Sequence, residues 1–581
     1  MKEGVLYPQA GYPRPGFVRA EWMSLDGEWE FGFDDLFCGE REEWYLRTLP
    51  RRIQVPFAYQ CERSGIGETA PHACVWYRRT VALPAQGAGT RWLLHFGAVD
   101  YSCRVWVNGR FAGSHRGGHV PFSFDVTSLL LSGENTIAVK AEDRFLREQP
   151  RGKQAPVLPP DRCWYVNTTG IWQSVWLEPV PETYLEKVRI TPDIDARTVS
   201  IDARIGGSGS GIFSGEVSFH GETAAVFSVR AQDGRASVIL PLAEPDFVDE
   251  VHYWTPETPN LYDAALSLQT ENGEDAVSTY FGMRSLTAEN GVLYLNHRPY
   301  YERLVLDQGY WRESLMTPPD PGALRRDVEA IKAMGFNGAR KHQKIEAPAF
   351  YYWADRLGLL VWAEMPSPYA FCPEEVQMLT QEWLEAVDCL YNHPCIVTWV
   401  PFNESWGIRN VRDDRRQQQF AEGIYHLTKA ADPTRLISTN DGWEQVTSDL
   451  CCIHDYFADG AAFREKYTPV ETMLEGSPQG RKSYASGYRY GGEPIILSEY
   501  GGISFGASGE ADWGYHEDAE SEEELLRRIG DQTEAIRQHP RIAGFCYTQL
   551  TDVMQETNGL LDADHCPKAP MEGIRPLFSA D

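Results

Sequence analysis

The sequence predicts a multidomain chain: a β jelly-roll sandwich, an immunoglobulin-like β-sandwich and a (β/α)8 TIM barrel. Three observations carry this. The 581 residues exceed what one hydrophobic core organises and imply roughly three or four domains. The first half is written in short alternating strands separated by turn signals. From about residue 286 the pattern changes to alternating strands and helices, which implies a parallel sheet.

Residues 1–182 form the first predicted domain. Ser24-Leu25-Asp26-Gly27-Glu28-Trp29 reads as a turn entering a strand, and Val75-Trp76-Tyr77-Arg78 and Trp92-Leu93-Leu94-His95-Phe96 as further strands. Asn108-Gly109 between two such runs predicts a tight hairpin. Short strands at this spacing, with no strong helical pattern, suggest a jelly roll. Residues 183–285 continue in alternating strands over the length of an immunoglobulin-like sandwich. The Gly/Ser run at 206–211 within them reads as a hairpin loop. The third domain, 286–581, offers eight strand candidates, at 302–306, 338–340, 361–364, 397–403, 436–440, 452–454, 495–499 and 543–548. Predicted helices at 321–334, 348–357, 380–391, 415–430 and 521–538 fall between them. That is the content of one (β/α)8 barrel.

Composition narrows the function. The net charge of −29 argues against nucleic acid and anionic membranes as partners, and fits a neutral substrate better than a polyanion. Aromatics at 12%, including 18 Trp and 28 Tyr, suit both large β cores and stacking on sugar faces. Met1 to Pro8 hold no signal-like apolar run, and no stretch of about 20 apolar residues occurs. The 12 cysteines are scattered without a CxxC pair. Free thiols in a cytoplasmic protein are the expectation. The histidines are dispersed, so no metal site and no cofactor are predicted.

Two strand tips carry the chemistry. Trp399-Val400-Pro401-Phe402-Asn403-Glu404 delivers an amide and a carboxyl after an apolar run, and Ile495-Ile496-Leu497-Ser498-Glu499 delivers a second carboxyl. Active sites of such barrels lie at the C-terminal strand tips. Two carboxylates there are the minimum equipment for hydrolysing a glycosidic bond.

Six motifs in order resemble glycoside hydrolase family 2, the family of β-galactosidases, β-glucuronidases and β-mannosidases. They are Ser24-Leu25-Asp26-Gly27-Glu28-Trp29, Thr169-Gly170-Ile171-Trp172, Phe281-Gly282-Met283-Arg284, Gly335-Phe336-Asn337-Gly338-Ala339-Arg340, Asn403-Glu404-Ser405 and Ser498-Glu499-Tyr500-Gly501. The resemblance covers nearly the whole chain and implies a retaining mechanism. Glu404 would be the acid/base, protonated for the first step and ionised for the second, which calls for a raised pKa. Glu499 would be the nucleophile. Asn403 would hold the sugar 2-hydroxyl, and Tyr456 would steady the nucleophile or pack as a rim aromatic. His454 would line the same pocket or serve as a structural histidine.

The sugar-reading tips depart from the better-known relatives. Arg340 is followed by Lys341-His342-Gln343-Lys344 rather than Ser-His-Tyr-Pro-like residues, which makes His342 and Lys344 candidate substrate contacts. Asp307 and Gln308 stand at the first tip, to bond sugar hydroxyls or, for Asp307, to brace its loop. Glu364 would hold Arg340 or face the pocket. In the first domain, Trp164 or Tyr165 would wall the barrel mouth or anchor the domain interface. Tyr547 stands where many barrel glycosidases carry a tryptophan platform. The Asn-x-Lys clamp of β-glucuronidases is absent, because Asn558 is followed by Gly559 and Leu560; that argues against a glucuronide.

The expectation is an exo-acting, retaining β-glycosidase acting on a carbohydrate, β-galactosidase-like by default. The alternatives are a galactofuranoside, arabinoside or galacturonide substrate, a transglycosylase, or a non-catalytic carbohydrate-binding protein. Assembly as a homo-oligomer is common in the family and comes only with the resemblance.

Overall fold

A computed structural model describes residues 12–83, 89–155, 159–207, 210–242, 251–469, 474, 480–506 and 512–580. Met1 to Pro8, and 208–209 in the Gly/Ser run, lie outside the described residues.

The first domain packs two antiparallel sheets face to face. One has the order Met23–Ser24, Val175–Pro181, Thr90–Phe96, Phe122–Asp125. The other runs Arg51–Val55, Gly27–Phe33, Cys74–Leu83, Gly133–Glu142, Ser102–Val107, Arg110–Arg116. Trp29, Tyr77, Leu94, Val105 and Val139 fill the space between them. Asn108 and Gly109 both take positive φ (51° and 74°), the backbone that a two-residue hairpin between right-twisted strands requires. The second domain is a sandwich of three and four strands around Ile190, Ile201, Phe213, Leu266 and Val277. Its strands Thr198–Gly206 and Gly211–Phe219 flank the Gly/Ser run but lie in different sheets and do not pair, so the expected hairpin is not formed there.

The third domain is the barrel. Its parallel strands are β1 (Glu302–Asp307), β2 (Gly338–Lys341), β3 (Leu360–Glu364), β4 (Ile396–Val400), β5 (Leu436–Ile437), β6 (Cys451–His454), β7 (Ile495–Gly501) and β8 (Ile542–Thr548). Neighbours in sequence pair in space, and β8 pairs β1. The backbone ladder is interrupted between β5 and β6. There Ser438 Oγ lies 3.2 Å from Cys452 Sγ, and His454 N donates to Gly442 O at 3.4 Å. A short pair, Phe402–Asn403 with Asn440–Asp441, extends β4 and β5 at the top.

The described helices are α1 (Ala323–Ala333), α2 (Pro348–Leu357), α3 (Pro373–Leu390), α4 (Arg415–Ala431), α5 (Gly460–Tyr467), α6 (Glu522–Arg537) and α7 (Met571–Phe578). Their starts follow capping chemistry. Asp414 and Ser521 accept from backbone N–H groups of the first turns of α4 and α6, and proline opens α2 and α3. α3 begins at Pro373, seven residues ahead of the sequence-predicted start, with Cys372 as its cap. Among the described residues, no helix is long and apolar enough to cross a membrane.

Candidate active site

Strand β4 is buried along its whole length and rigidly aims the residues beyond it. Immediately past Asn403 the backbone turns left-handed, at Glu404 (φ 49°) and Ser405 (φ 56°). Such a conformation costs a non-glycine residue about 1–3 kcal/mol and persists only where surrounding bonds fix it. Here they do. Glu404 N donates to Asp441 O (3.0 Å), Ser405 N to Asn440 Oδ1 (2.9 Å), Ser405 Oγ to Glu444 Oε2 (2.9 Å) and Trp406 N to Asn403 O (2.9 Å). The turn sets Glu404 against Glu499, which rides on β7. A carboxylate oxygen of each, with a ring nitrogen of His454, falls within a 4.8 Å cluster.

Arg340, at the end of β2, ties this centre together. It is fully buried, and its guanidinium touches five of the eight strand tips besides its own. Nε donates to Glu364 Oε2 on β3 (2.7 Å) and Nη2 to Asn403 Oδ1 beyond β4 (2.6 Å). Nη1 donates to Glu499 Oε1 on β7 (2.9 Å) and lies 2.9 Å from Asp441 Oδ2 beyond β5. It also lies 3.4 Å from His454 Nε2 on β6. A planar, always-charged fork suits such multiple carboxylate contacts. Glu364 therefore holds Arg340; burial, with the Asp441 charge, pushes its carboxyl up to about 7 against the guanidinium's pull.

His454 stands between two carboxylates. Nδ1 lies 3.0 Å from Glu404 Oε1 and Nε2 3.0 Å from Asp441 Oδ2, a geometry that favours the protonated imidazole with both nitrogens donating. Burial alone would lower its pKa; the Glu499 charge and the bonds to Asp441 and Glu404 outweigh burial and raise it to about 10. Glu404, His454 and Glu499 form the one convergent group of metal-ligand type among the described residues, and His454 would have to release its Nδ1 proton to bind a cation there.

Glu499 is held ionised. Burial raises its pKa, but the charges of His454 and Arg340 and the Tyr456 hydroxyl bring it below the usual carboxylate value. Tyr456 donates to Glu499 Oε2 at 2.5 Å and stacks on Tyr515, ring centroids 3.5 Å apart. Burial keeps that phenol neutral, hence a donor.

The other predicted contacts divide. His342 is buried beside the centre, Nδ1 3.0 Å from Glu364 Oε1, and burial holds it neutral. Lys344 is engaged elsewhere. Its ammonium donates to Gly309 O (2.6 Å) and Met316 O (2.8 Å) and pairs with Glu346 (2.6 Å), leaving no N–H for a sugar. Asp307 braces its loop, with one oxygen on Lys341 Nζ (2.7 Å) and the other on Gly309 N (2.8 Å). Gln308 gives both amide hydrogens to Tyr165 Oη and Gln549 Oε1 (2.7 and 2.8 Å). Tyr547 packs against Tyr500 and Phe578, on the helix side of β8. Successive strand residues point to opposite faces, and it is Thr548, one residue on, that approaches the Tyr456 hydroxyl at 3.4 Å.

The first domain roofs one side of the centre. Trp164 stacks on Trp406 (5.8 Å) and donates from Nε1 to Tyr369 Oη (3.0 Å), so it is wall and anchor together. Tyr165 anchors the interface through Glu556 (2.5 Å). Sequence reasoning missed Asp441, Trp406, Tyr515, Glu556 and Lys153. Asp441 ends a polar tip, Ser438-Thr439-Asn440-Asp441, and the strand-tip rule would have found it. Lys153 carries no such signal, because its place depends on how one domain sits on another.

A parallel barrel bearing two glutamates this close on β4 and β7 is the arrangement of a retaining glycoside hydrolase, in which the carboxyl groups stand about 5–5.5 Å apart. Similarity to known proteins specifies the family. The description "Glycosyl hydrolases family 2, sugar binding domain" matches residues 22–181, "Glycosyl hydrolases family 2" 183–284, and "Glycosyl hydrolases family 2, TIM barrel domain" 290–575. The chain belongs to glycoside hydrolase family 2.

Its similar relatives include a putative β-glucuronidase of Formosa agariphila, 27% identical over 62% of this chain and 44% of that protein. The β-glucuronidase of Felis catus is 25% identical over 89% of this chain and 81% of its own length. A β-galactosidase of Klebsiella pneumoniae is 25% identical over 91% of this chain; the match spans 50% of that protein. The solved Bifidobacterium dentium β-glucuronidase, complexed with coumarin-3-O-glucuronide, shares the fold over 99% of this chain and 98% of its own, at a TM-score of 0.77 and 23% identity.

Proposed function

We propose that the protein is an exo-acting β-glycosidase that removes one non-reducing terminal sugar by double displacement. The carrying observation is the pairing of Glu404 and Glu499 within one cluster, with Glu499 kept ionised by Arg340, His454 and Tyr456. In the first step Glu499 attacks the anomeric carbon and Glu404 gives its proton to the leaving oxygen. In the second, Glu404 takes a proton from water, which displaces Glu499 with net retention. Asn403, whose Oδ1 accepts from Arg340, would bond the 2-hydroxyl, a contact that strengthens as positive charge develops. The roof formed by residues 151–155 and 159–169 supports exo action, because it covers one side of the mouth.

The relatives named above divide between β-galactosidases and β-glucuronidases. Asn558, the remnant of the glucuronidase clamp, is committed to Gln549 (2.7 Å) and Glu556 (3.2 Å). The same proposal includes assembly of identical chains, readable by light scattering, and a cytoplasmic location, supported by twelve unpaired cysteines.

The test is a panel of aryl β-glycosides, uronides and furanosides included, with proton NMR of the first-formed anomer. Glu499→Gln should abolish turnover, and azide should restore Glu404→Ala by forming a β-glycosyl azide. Undiminished turnover in Glu499→Gln would refute the assignment.

A further inference from the structure

Lys153 is an ammonium in an unusual place. It belongs to the first domain yet sits in the barrel mouth, 6% exposed, with Nζ 5.0 Å from the ring centre of Trp406, two residues past the acid/base. The backbone delivers it there by close approach. Gly152, at φ 60°, runs so near the Gln343 carbonyl that a Cβ would stand 2.4 Å from that oxygen, and Gly152 N donates to Ser367 O (3.1 Å). Lys153 O accepts from Tyr165 N (2.8 Å).

Among the described residues its Nζ makes no hydrogen bond and no ion pair. Buried lysines are otherwise paired here: Lys341 with Asp307 and Glu346, and Lys344 with Glu346. Burying an ammonium with three unmatched N–H donors is expensive unless a partner arrives. Burial presses it toward neutrality, but the carboxylates around it, Glu556, Glu499 and Glu404, keep it charged. Its Nζ lies against Trp406, in the wall of the mouth beside the turn that carries Glu404.

Building on the glycosidase proposal above, we infer that Lys153 is a specificity-determining residue that reads a carboxylate on the terminal sugar, so that the enzyme acts on an acidic glycone. The charge arrives from the jelly-roll domain, while the barrel position that would hold a clamp lysine is Leu560. The net charge of −29 is a sum over the whole chain and does not describe the local charge that Lys153 brings to the mouth.

The experiment compares kcat/KM for aryl β-D-glucuronide and β-D-galacturonide with the matching glucoside and galactoside. Wild type should favour the acids, and Lys153→Met should lower the acid-to-neutral ratio by about 10- to 100-fold, the worth of one charged hydrogen bond. Converting the substrate carboxylate to its primary amide should cause a similar loss in the unaltered enzyme, which removes any dependence on the variant's folding. Free uronic acid should raise the melting temperature of Glu499→Gln but not of Glu499→Gln/Lys153→Met.

A wild-type preference for the neutral sugars, or an equal loss on both classes with a shifted pH profile, would overturn the assignment and leave the glycosidase standing. Failure to cleave any glycoside, charged or neutral, would overturn both.

Discussion

Tyr456 and Arg340 hold the same carboxylate from opposite sides, and the two contacts differ in what they also support. The Tyr456 hydroxyl serves Glu499 and brushes Thr548. Tyr456→Phe should therefore cost kcat roughly 10- to 100-fold, as expected for one hydrogen bond to a charged group. Its melting temperature should stay within a few degrees of wild type. Steady-state kinetics and a thermal melt decide it; an unchanged kcat would remove Tyr456 from the machinery. Arg340 is different, because Glu364, Asp441 and Glu499 all lean on it. Arg340→Met leaves several buried acids without their cation and should destabilise by about 3–5 kcal/mol besides abolishing turnover. Denaturant unfolding measures the first and the glycoside assay the second.

At the scale of elements, the interior of the barrel carries a pH switch in its stability. Glu302 opens β1 and is fully buried, its one hydrogen bond coming from Trp362 Nε1 on β3 at 3.0 Å. Burial pushes its carboxyl up to about 8 from an ordinary value of 4.5, the Trp362 bond opposing only in part. Between those values the folded chain keeps a proton that the unfolded chain has released. This contribution to stability therefore falls as pH rises from about 4.5 to 8 and then levels off. Glu302→Gln keeps the shape and an acceptor for Trp362 without the proton. Its stability relative to wild type should be similar at pH 5 and higher by a few kcal/mol at pH 8.5. A constant difference across that range would show that Glu302 is not the titrating group.

Elements also set what could be read in advance. Apolar runs ending in polar residues located all eight strands, and with them Glu404, Glu499, Asn403, Arg340 and Glu364. Parity was harder: one step along β8 separates Tyr547, facing the helices, from Thr548, facing the pocket. Lys344 misled for another reason, while Asp307 took the loop-bracing one of its two readings. Polar residues crowded at strand tips can satisfy one another, and nothing local in Lys341-His342-Gln343-Lys344 tells which side chains turn inward to Glu346.

At the scale of the molecule, the three domains are joined by buried charge as well as apolar packing. Arg19 binds Asp275 of the second domain through two 2.9 Å bonds and Glu178 of the first at 2.9 Å. Removing it by Arg19→Met should lower thermal stability by about 3–5 kcal/mol, since buried Asp275 loses its cation and Glu178 keeps only Arg14 and His95. The kcat/KM at 25 °C should remain within about twofold, because the catalytic centre makes no contact with this cluster. Calorimetry beside the kinetic assay tests both halves. The roof is where the proposed site draws on the first domain; Trp164 is reached from sequence only through the family resemblance and Lys153 not at all, because docking of one domain on another leaves no local pattern.

The interrupted ladder between β5 and β6 gives the centre a second, mechanical duty. Where backbone rungs are missing, His454 on β6 reaches Asp441 beyond β5, and Arg340 spans the gap from the far wall. The cylinder is thus laced shut along that seam by the side chains that polarise the nucleophile. Closure and chemistry share atoms, so the reactive core has little freedom to drift, and new sugar preferences must be written on the rim, including the part of the rim lent by the neighbouring domain.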